Sequence, residues 1–270
     1  MSTTTPPDTR GLAGVVAGDT AVCSVNQTQL IYRGFEIADL AEHVAFEEVA
    51  HLLLVGHKPS ERELNEFKKT LHANRALPDG VQELVARIRR DPPCADPMAI
   101  LRTVVSMLGC YDPEAEDISY DAEVHKAMRL LARIPTAIGA IGRALDGKEP
   151  VDPRDDLSHA GNLLWAIFGE EPSELNEKVI DVSLILYAEH DFNASTFTSR
   201  VIASTLSDMH SAVCGGIGAL KGPLHGGANE KAMELVLDVK KKVDEGGSVA
   251  AFMADAFHHR RKLISFGHRA

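Results

Sequence analysis

The sequence predicts an all-α protein that opens on one short β-hairpin. Three observations carry that expectation. Apolar residues recur at three- and four-residue spacing from about residue 46 onward. Helix-start chemistry, a Ser or Asp ahead of a periodic run, recurs at Ser60, Asp96 and Ser119. Strand material is confined to residues 15–33.

Residues 1–10, mostly Ser, Thr, Pro and Asp, read as a disordered tail without the apolar stretch of a secretory leader. Val15-Val16 and the run Ala21 to Val25, a polar turn at Asn26-Gln27, and Leu30 to Tyr32 suggest the hairpin. Phe46, Val49, Ala50, Leu53 and Leu54 lie on one helical face, and Gly56 stands where a glycine ends a helix. Ser60 and Glu63 have capping-box spacing and open an amphipathic helix reaching about Ala73. Asp79 and Gln82 repeat the device for a helix ending near Arg89-Arg90, whose cations suit the negative end of the dipole. Asp96-Pro97 pairs a cap with a proline at the first helical position, ahead of the stripe Met98, Leu101, Val105 and Leu108.

Ser119 is expected to cap a helix over about 120–133, and Pro135 to start another that ends before Gly147. A polar turn from Glu149 to Asp156 precedes a helix carrying Leu163, Leu164, Trp165 and Phe168. Segment 174–189 is the least polar, with almost no solvent face, so the pattern predicts a buried helix that delivers Glu189 and His190 to the interior. Helices over 195–208 and 210–220, the second rich in glycine, lead to a connection at 221–230. The last two helices fall at 229–244 and 248–260. The glycines of the 221–230 connection suit a hinge between two units.

Composition narrows the function classes. A net charge of −11 argues against a nucleic-acid surface, because phosphate neutralisation needs clustered Lys and Arg in excess. No apolar run reaches bilayer-spanning length, so the protein is expected to be soluble, with no membrane role. Cys23, Cys94, Cys110 and Cys214 show no metal-ligand spacing and read as reduced, mostly packing residues of a cytoplasmic protein.

The chain is organised around the stretch from Lys221 to Glu230. Pro223 and glycines stop one helix, His225 is left in the connection, and Asn229 can cap the next helix. Flanking glycines admit a ligand close to the backbone, and the N-terminal N–H groups of the following helix offer positive charge to an anion. A lone histidine between helices is usually structural, and two more histidine-bearing stretches shift that balance. They are Leu186 to Thr196, with His190, Asn193 and Ser195 close together, and Ile264 to Arg269, with His268. Read alone, the first cluster could merely cap helices, and a histidine so near a terminus is commonly idle. Arg260, Arg261 and Lys262 could meet phosphates or simply answer their own helix dipole. The histidines lack the close pairing of a helix-borne metal site, so no metal is expected.

These three segments, in this order, resemble the signature segments of the citrate synthase family, in the short bacterial type that includes 2-methylcitrate synthases. The resemblance extends to the run Gly11 to Thr20, to Leu30 to Phe35 and to Pro97 to Arg102. It implies a multi-helical large domain over about 11–226 and the opening, over 227–270, of a small domain left incomplete here. It also implies condensation of acetyl-CoA with oxaloacetate to citrate and CoA, or of propionyl-CoA in a 2-methylcitrate synthase. The CoA thioester is substrate, and no cofactor is implied. By resemblance His225 donates a hydrogen bond to the enolate oxygen of the thioester, and His268 polarises the ketone. His190, Asn193 and Ser195 hold substrate, with Ser195 orienting His225, while Ile264, Phe266 and Gly267 match the CoA-binding stretch. A homodimer is implied, through helices near 97–109 and 135–146.

The family pattern continues past Gly267-His268-Arg269 and carries its catalytic aspartate and further substrate arginines there. No residue of this sequence takes those roles. The expectation is therefore that the 270-residue chain alone releases no thiol, and a non-catalytic partner of a full-length relative is the alternative reading.

Overall fold

A computed structural model describes residues 18–26 and 28–261, excluding the side chains of Ala228 and Asn229. It contains twelve helices and one three-stranded antiparallel sheet among those residues. The hairpin lies where the sequence places it: β1 (Cys23–Val25) pairs with β2 (Leu30–Tyr32), Cys23 facing Tyr32. A third strand, β3 (Phe35–Glu36), and the short helix α1 (Ile37–His43) complete this corner. Neither was foreseen, because two- and seven-residue elements give too few repeats for a period to show.

Next come α2 (Phe46–Val55), ended by Gly56 at φ 101°, and α3 (Glu61–Ala73). The capping box of α3 is formed as expected: Glu63 N–H donates to Ser60 Oγ at 3.3 Å, and Ser60 N–H to the Glu63 carboxylate at 2.8 Å. The Ser60 hydroxyl, donating to the same carboxylate at 2.7 Å, and the Ser60 N–H together pull the exposed Glu63 carboxyl down to about 2. Helix α4 (Asp79–Arg90) has the expected bounds but not the expected cap. Its N-cap is Pro78, and Gln82 donates its amide to Leu77 O at 2.7 Å, so Asp79 sits already inside the first turn. At α5 (Pro97–Cys110), Asp96 accepts from Met98 N–H at 2.8 Å.

Helix α6 (Tyr120–Leu145) corrects the sequence reading most plainly. Ser119 caps it, but it runs unbroken through Pro135 for 26 residues. An interior proline removes one backbone hydrogen bond and costs ~3 kcal/mol or more. Burial on both sides of it offsets that, since Leu130, Ala132, Pro135, Thr136, Ala137, Ala140 and Ile141 are all buried. Helix α6 also joins the two apolar cores. One gathers α4, α5, α6 from Leu130 onward and α10 (Met209–Leu220) around Val81, Val104 and Leu108. The other packs the sheet, α1 to α3 and α8 (Glu174–Tyr187) around Tyr32, Val49 and Leu71, with Ala132 of α6.

Helix α7 (His159–Phe168) is capped by Ser158 and closed by Gly169 at φ 71°. Helix α8 (Glu174–Tyr187) is not the buried rod its composition predicts. Only Asp181 and Ile185 are buried, while Leu175 and Tyr187 are each 71% exposed. One narrow face meets α1, α2 and α7, and apolar content without a strong period does not say which face that is. Helices α9 (Ala194–Ala203), ending five residues earlier than expected, and α10 (Met209–Leu220) follow. Helix α11 (Gly227–Asp244) packs against α12 (Val249–His258). It starts at Gly227 with Gly226 as N-cap, so position 229 falls within its first turn and is not the cap.

Candidate active site

The N-terminus of α9 and the connection after α10 meet at one point. Asn193 is the N-cap of α9, its Oδ1 accepting from Thr196 N–H at 2.9 Å. That bond identifies the oxygen side of the amide, so Ser195 Oγ, 2.7 Å from the same Oδ1, donates to it. Ser195 Oγ also lies 2.8 Å from His225 Nε2. A serine has one proton for two neighbours. When it points to Asn193, the imidazole must carry its proton on Nε2 and donate to the serine. When it turns to Nε2, a neutral ring carries its proton on Nδ1, which can then donate to an oxygen opposite.

Two features bring these residues together. Helix α10 is glycine-rich where α9 crosses it: a Cβ at Gly215 would stand 2.2 Å from Ile202 Cδ1, and one at Gly216 2.6 Å from Ser199 Oγ. Ser199 Oγ in turn donates to Ala212 O at 3.0 Å. The connection then folds back on the end of α10. Gly226 N–H donates to Leu220 O at 2.9 Å and His225 N–H to Gly222 O at 3.0 Å. A Cβ at Gly226 would sit 2.2 Å from Leu220 O, so no other residue fits that turn.

The turn before α9 carries His190, and it is built against the sheet. Tyr32, fully buried, directs its hydroxyl at Glu189 O (2.9 Å) and Ile185 O (3.2 Å) and accepts from Glu189 N–H at 3.2 Å. Buried Cys23 accepts from Asp191 N–H at 3.0 Å and donates to Glu189 Oε1 at 3.5 Å. Burial, with the Glu189 carboxylate beside it, pushes the Cys23 thiol up to about 11. Burial pushes the Tyr32 phenol up to about 12 against the opposing pull of the Glu189 backbone. Both therefore keep their protons at neutral pH. Asp191 holds a left-handed φ of 59°, and its Oδ1 is buried without a hydrogen-bond partner. Arg200 lies 4.8 Å over the ring of Phe192 and closes the far side of the turn. A largely apolar cavity of about 430 Å³ reaches this corner, with Val22, Leu53, Met209, Val213, Ala188 and Glu189 among its walls.

Of the residues singled out in the sequence, Asn193, Ser195 and His225 are joined in one hydrogen-bonded chain. His190 is exposed, contrary to the interior position expected of it, because α8 itself lies at the surface. Ile264, Phe266, Gly267 and His268 lie outside the described residues, as does Lys262. Arg261 pairs with Asp238 at 3.4 Å and lies 5.5 Å over Phe252, tying α12 to α11. Cys94 and Cys110 are exposed, so only Cys23 and the half-buried Cys214 pack as expected. Among the described residues, no group of three or more His, Cys, Asp or Glu is arranged to hold a metal. No helix there is long and apolar enough to cross a membrane. Sequence reasoning missed Cys23 and Tyr32 as supports of the site. Their contacts span more than 150 residues of sequence, and only alternation in a short hairpin hinted at inward side chains.

Comparison with known proteins adds the family. The sequence model described as citrate synthase, C-terminal domain matches residues 11–270. Citrate synthase 2 of Bacillus subtilis is 41% identical over 262 residues, covering 97% of this chain and 68% of that protein. The 2-methylcitrate synthase of Shewanella oneidensis is 46% identical over 261 residues, covering 96% of this chain and 67% of its own length. A solved ternary complex of citrate synthase from Thermoplasma acidophilum with carboxymethyl coenzyme A and oxaloacetate superposes with a TM-score of 0.82 at 28% identity, covering 95% of this chain and 66% of that one. The chain thus spans about two thirds of the length of these relatives. Fold and similarity define a predominantly helical enzyme of the acyltransferase class. The chain belongs to the citrate synthase family.

Proposed function

We propose that this protein joins the α-carbon of an acyl-CoA thioester to the ketone carbon of oxaloacetate and then hydrolyses the thioester, acetyl-CoA giving citrate. The observation that carries the reading is the chain Asn193–Ser195–His225, whose two links measure 2.7 and 2.8 Å. An enolate oxygen needs a hydrogen-bond donor aimed at it, and a neutral imidazole can supply one without adding charge to the ground state. With the serine proton turned toward Nε2, His225 Nδ1 is that donor. His190 and Asn193 belong to the dicarboxylate's binding region, and His268 polarises its ketone as the alkoxide forms. Ile264, Phe266 and Gly267 meet CoA. The carbon-bound proton must pass to a carboxylate, a role we assign to no residue of this sequence. In this reading residues 11–226 form the large domain and 227–270 open the small one, with the 221–226 connection as the hinge. Two copies pair through α5 and α6, and a monomeric mass by light scattering contradicts that pairing.

Propionyl-CoA, giving 2-methylcitrate, is the second reading, favoured by the 46% identity to a 2-methylcitrate synthase. One methylene changes binding by about 1–3 kcal/mol, so the two substrates differ in degree. Calorimetric titration with oxaloacetate tests the site. Saturable binding that is lost in His190→Ala is the expected result, and no binding to the unmodified chain rejects the reading. Calorimetric titration with acetyl-CoA against propionyl-CoA, oxaloacetate present, then orders the two acyl groups.

A further inference from the structure

The turn from Ala188 to Asn193 is fastened to the sheet at two points, one on either side of His190. Glu189, the residue before, has both backbone groups on one phenol: its N–H donates to Tyr32 Oη at 3.2 Å, and its carbonyl faces the same oxygen at 2.9 Å. Asp191, the residue after, donates its N–H to Cys23 Sγ at 3.0 Å. Tyr32 and Cys23 face each other across the β1–β2 pair, so both anchors come from one register position of the sheet. Tyr32 is 0% exposed and Cys23 8% exposed, and neither touches water enough to exchange these partners for solvent.

The turn is also strained. Asp191 sits at φ 59° with a buried, unpartnered Oδ1. A non-glycine residue in that region is uncommon and persists where its surroundings over-determine it. Arg33, next to Tyr32, is left-handed as well at φ 47°, its guanidinium reaching Leu53 O at 3.2 Å. Two of the four left-handed non-glycine residues among those described therefore fall at this one corner. Hydrogen bonds from a separate element on both sides of a histidine, with a left-handed residue held directly after it, are the arrangement expected where a backbone must be preset for a ligand.

We propose that Tyr32 and Cys23 are positioning residues: they fix the backbone on both sides of His190 so that its imidazole is preset for the dicarboxylate substrate, a role that rests on the function proposed above. They touch no reacting atom in this account. Their effect is on the fraction of molecules in which His190 is ready to bind.

The experiment compares Tyr32→Phe, Cys23→Ala and Cys23→Ser in the 270-residue chain. Tyr32→Phe keeps the buried ring and removes only the hydroxyl. Two readouts are taken: amide hydrogen exchange in peptides covering 186–193, and oxaloacetate affinity by calorimetry. Tyr32→Phe and Cys23→Ala are expected to speed exchange in that segment and to raise the oxaloacetate dissociation constant ~5- to 10-fold, the scale of one or two lost positioning hydrogen bonds. Cys23→Ser, which keeps a donor and acceptor, should stay near the unmodified protein. Val85→Ala, in the other core, serves as the structural control: it should lower the denaturation midpoint while leaving local exchange and affinity alone. If exchange over 186–193 is unchanged in Tyr32→Phe, or if Val85→Ala weakens oxaloacetate equally, the positioning role is overturned. If the unmodified chain binds no oxaloacetate, the proposed function falls, and the positioning role falls with it even where the exchange contrast survives. A variant effect on exchange with no effect on affinity overturns the inference alone and leaves the function standing.

Discussion

Ser195 has two partners and one proton, and the two substitutions that disturb it separate geometry from stability. Ser195→Ala removes both the donor to Asn193 Oδ1 and the contact with His225 Nε2, but Asn193 keeps its bond to Thr196 N–H and α9 keeps its cap. Unfolding free energy should therefore change by less than about 1 kcal/mol, near the lower end for one hydrogen bond. The His225 ring, freed from its fixed neighbour, should show averaged tautomers in nitrogen-15 spectra where the native ring shows one dominant form. Asn193→Ala should do the reverse in stability. It deletes an N-cap, worth about 1 kcal/mol, and removes the acceptor that draws the serine proton away from the imidazole, so the Nδ1-protonated form of His225 should gain population. Equal urea midpoints for the two variants, or an unchanged His225 spectrum in both, would contradict this account of the serine. That Asn193, Ser195 and His225 belong together was legible from their segments. The distance between the two segments, 30 residues of chain closed to 2.8 Å, was not, because it depends on how closely α9 and α10 approach.

Close approach between helices is set by glycine, and α6 against α7 gives the sharpest case. A Cβ at Gly139 would stand 2.3 Å from the Ala166 carbonyl carbon and 2.4 Å from its oxygen, both backbone atoms that cannot rotate aside. Gly139→Ala should therefore destabilise by about 3 kcal/mol, at the upper end for overpacking, although alanine is the better helix former by ~1 kcal/mol. Gly142→Ala, with nothing within 4 Å of its Cβ, should be neutral or stabilising by up to about 1 kcal/mol. Urea denaturation of the pair decides between contact and propensity: if both glycines respond alike, contact does not govern. The same competition explains which elements the sequence revealed. Local chemistry announced the start of α3 through Ser60 and Glu63 and of α5 through Asp96 and Pro97, because a cap is made by residues within three positions. It misjudged Pro135, where long-range burial outweighs a local breaker. In α8 apolar composition does not amount to burial, since Val179, Leu186 and Tyr187 face outward.

Across the whole molecule, polar groups buried between elements tie the fold to pH. Glu47 of α2 accepts from His159 N–H at 2.9 Å, Asp181 of α8 accepts from Phe46 N–H at 3.0 Å, and Asp112 takes a bidentate pair from Arg129 at 2.8 and 2.6 Å. Burial pulls three histidines, His72, His159 and His210, below the ordinary value of 6.5, and His159 as far as about 4. Below pH 6.5 the unfolded chain protonates these rings while the folded protein resists. The unfolded state then binds more protons, and stability rises with pH across that window. Their contribution is complete above pH 6.5 and is lost as the pH falls toward about 4, His159 alone accounting for about 2 kcal/mol by pH 5. Asp181 acts in the opposite sense. Burial raises its carboxyl above 3.8, so protonation on acidification relieves a buried charge. Asp112 loses its contribution only at lower pH: burial pushes it up, but the Arg129 hydrogen bonds prevail and hold it below 3.8. Thermal or urea midpoints should therefore fall between pH 7 and pH 5. His159→Asn keeps the backbone bond to Glu47, loses the ring contact with Phe46 at 5.0 Å, and should be less stable at pH 7 with a markedly flatter slope. A slope identical to that of the native chain would show that His159 is not what acid attacks first.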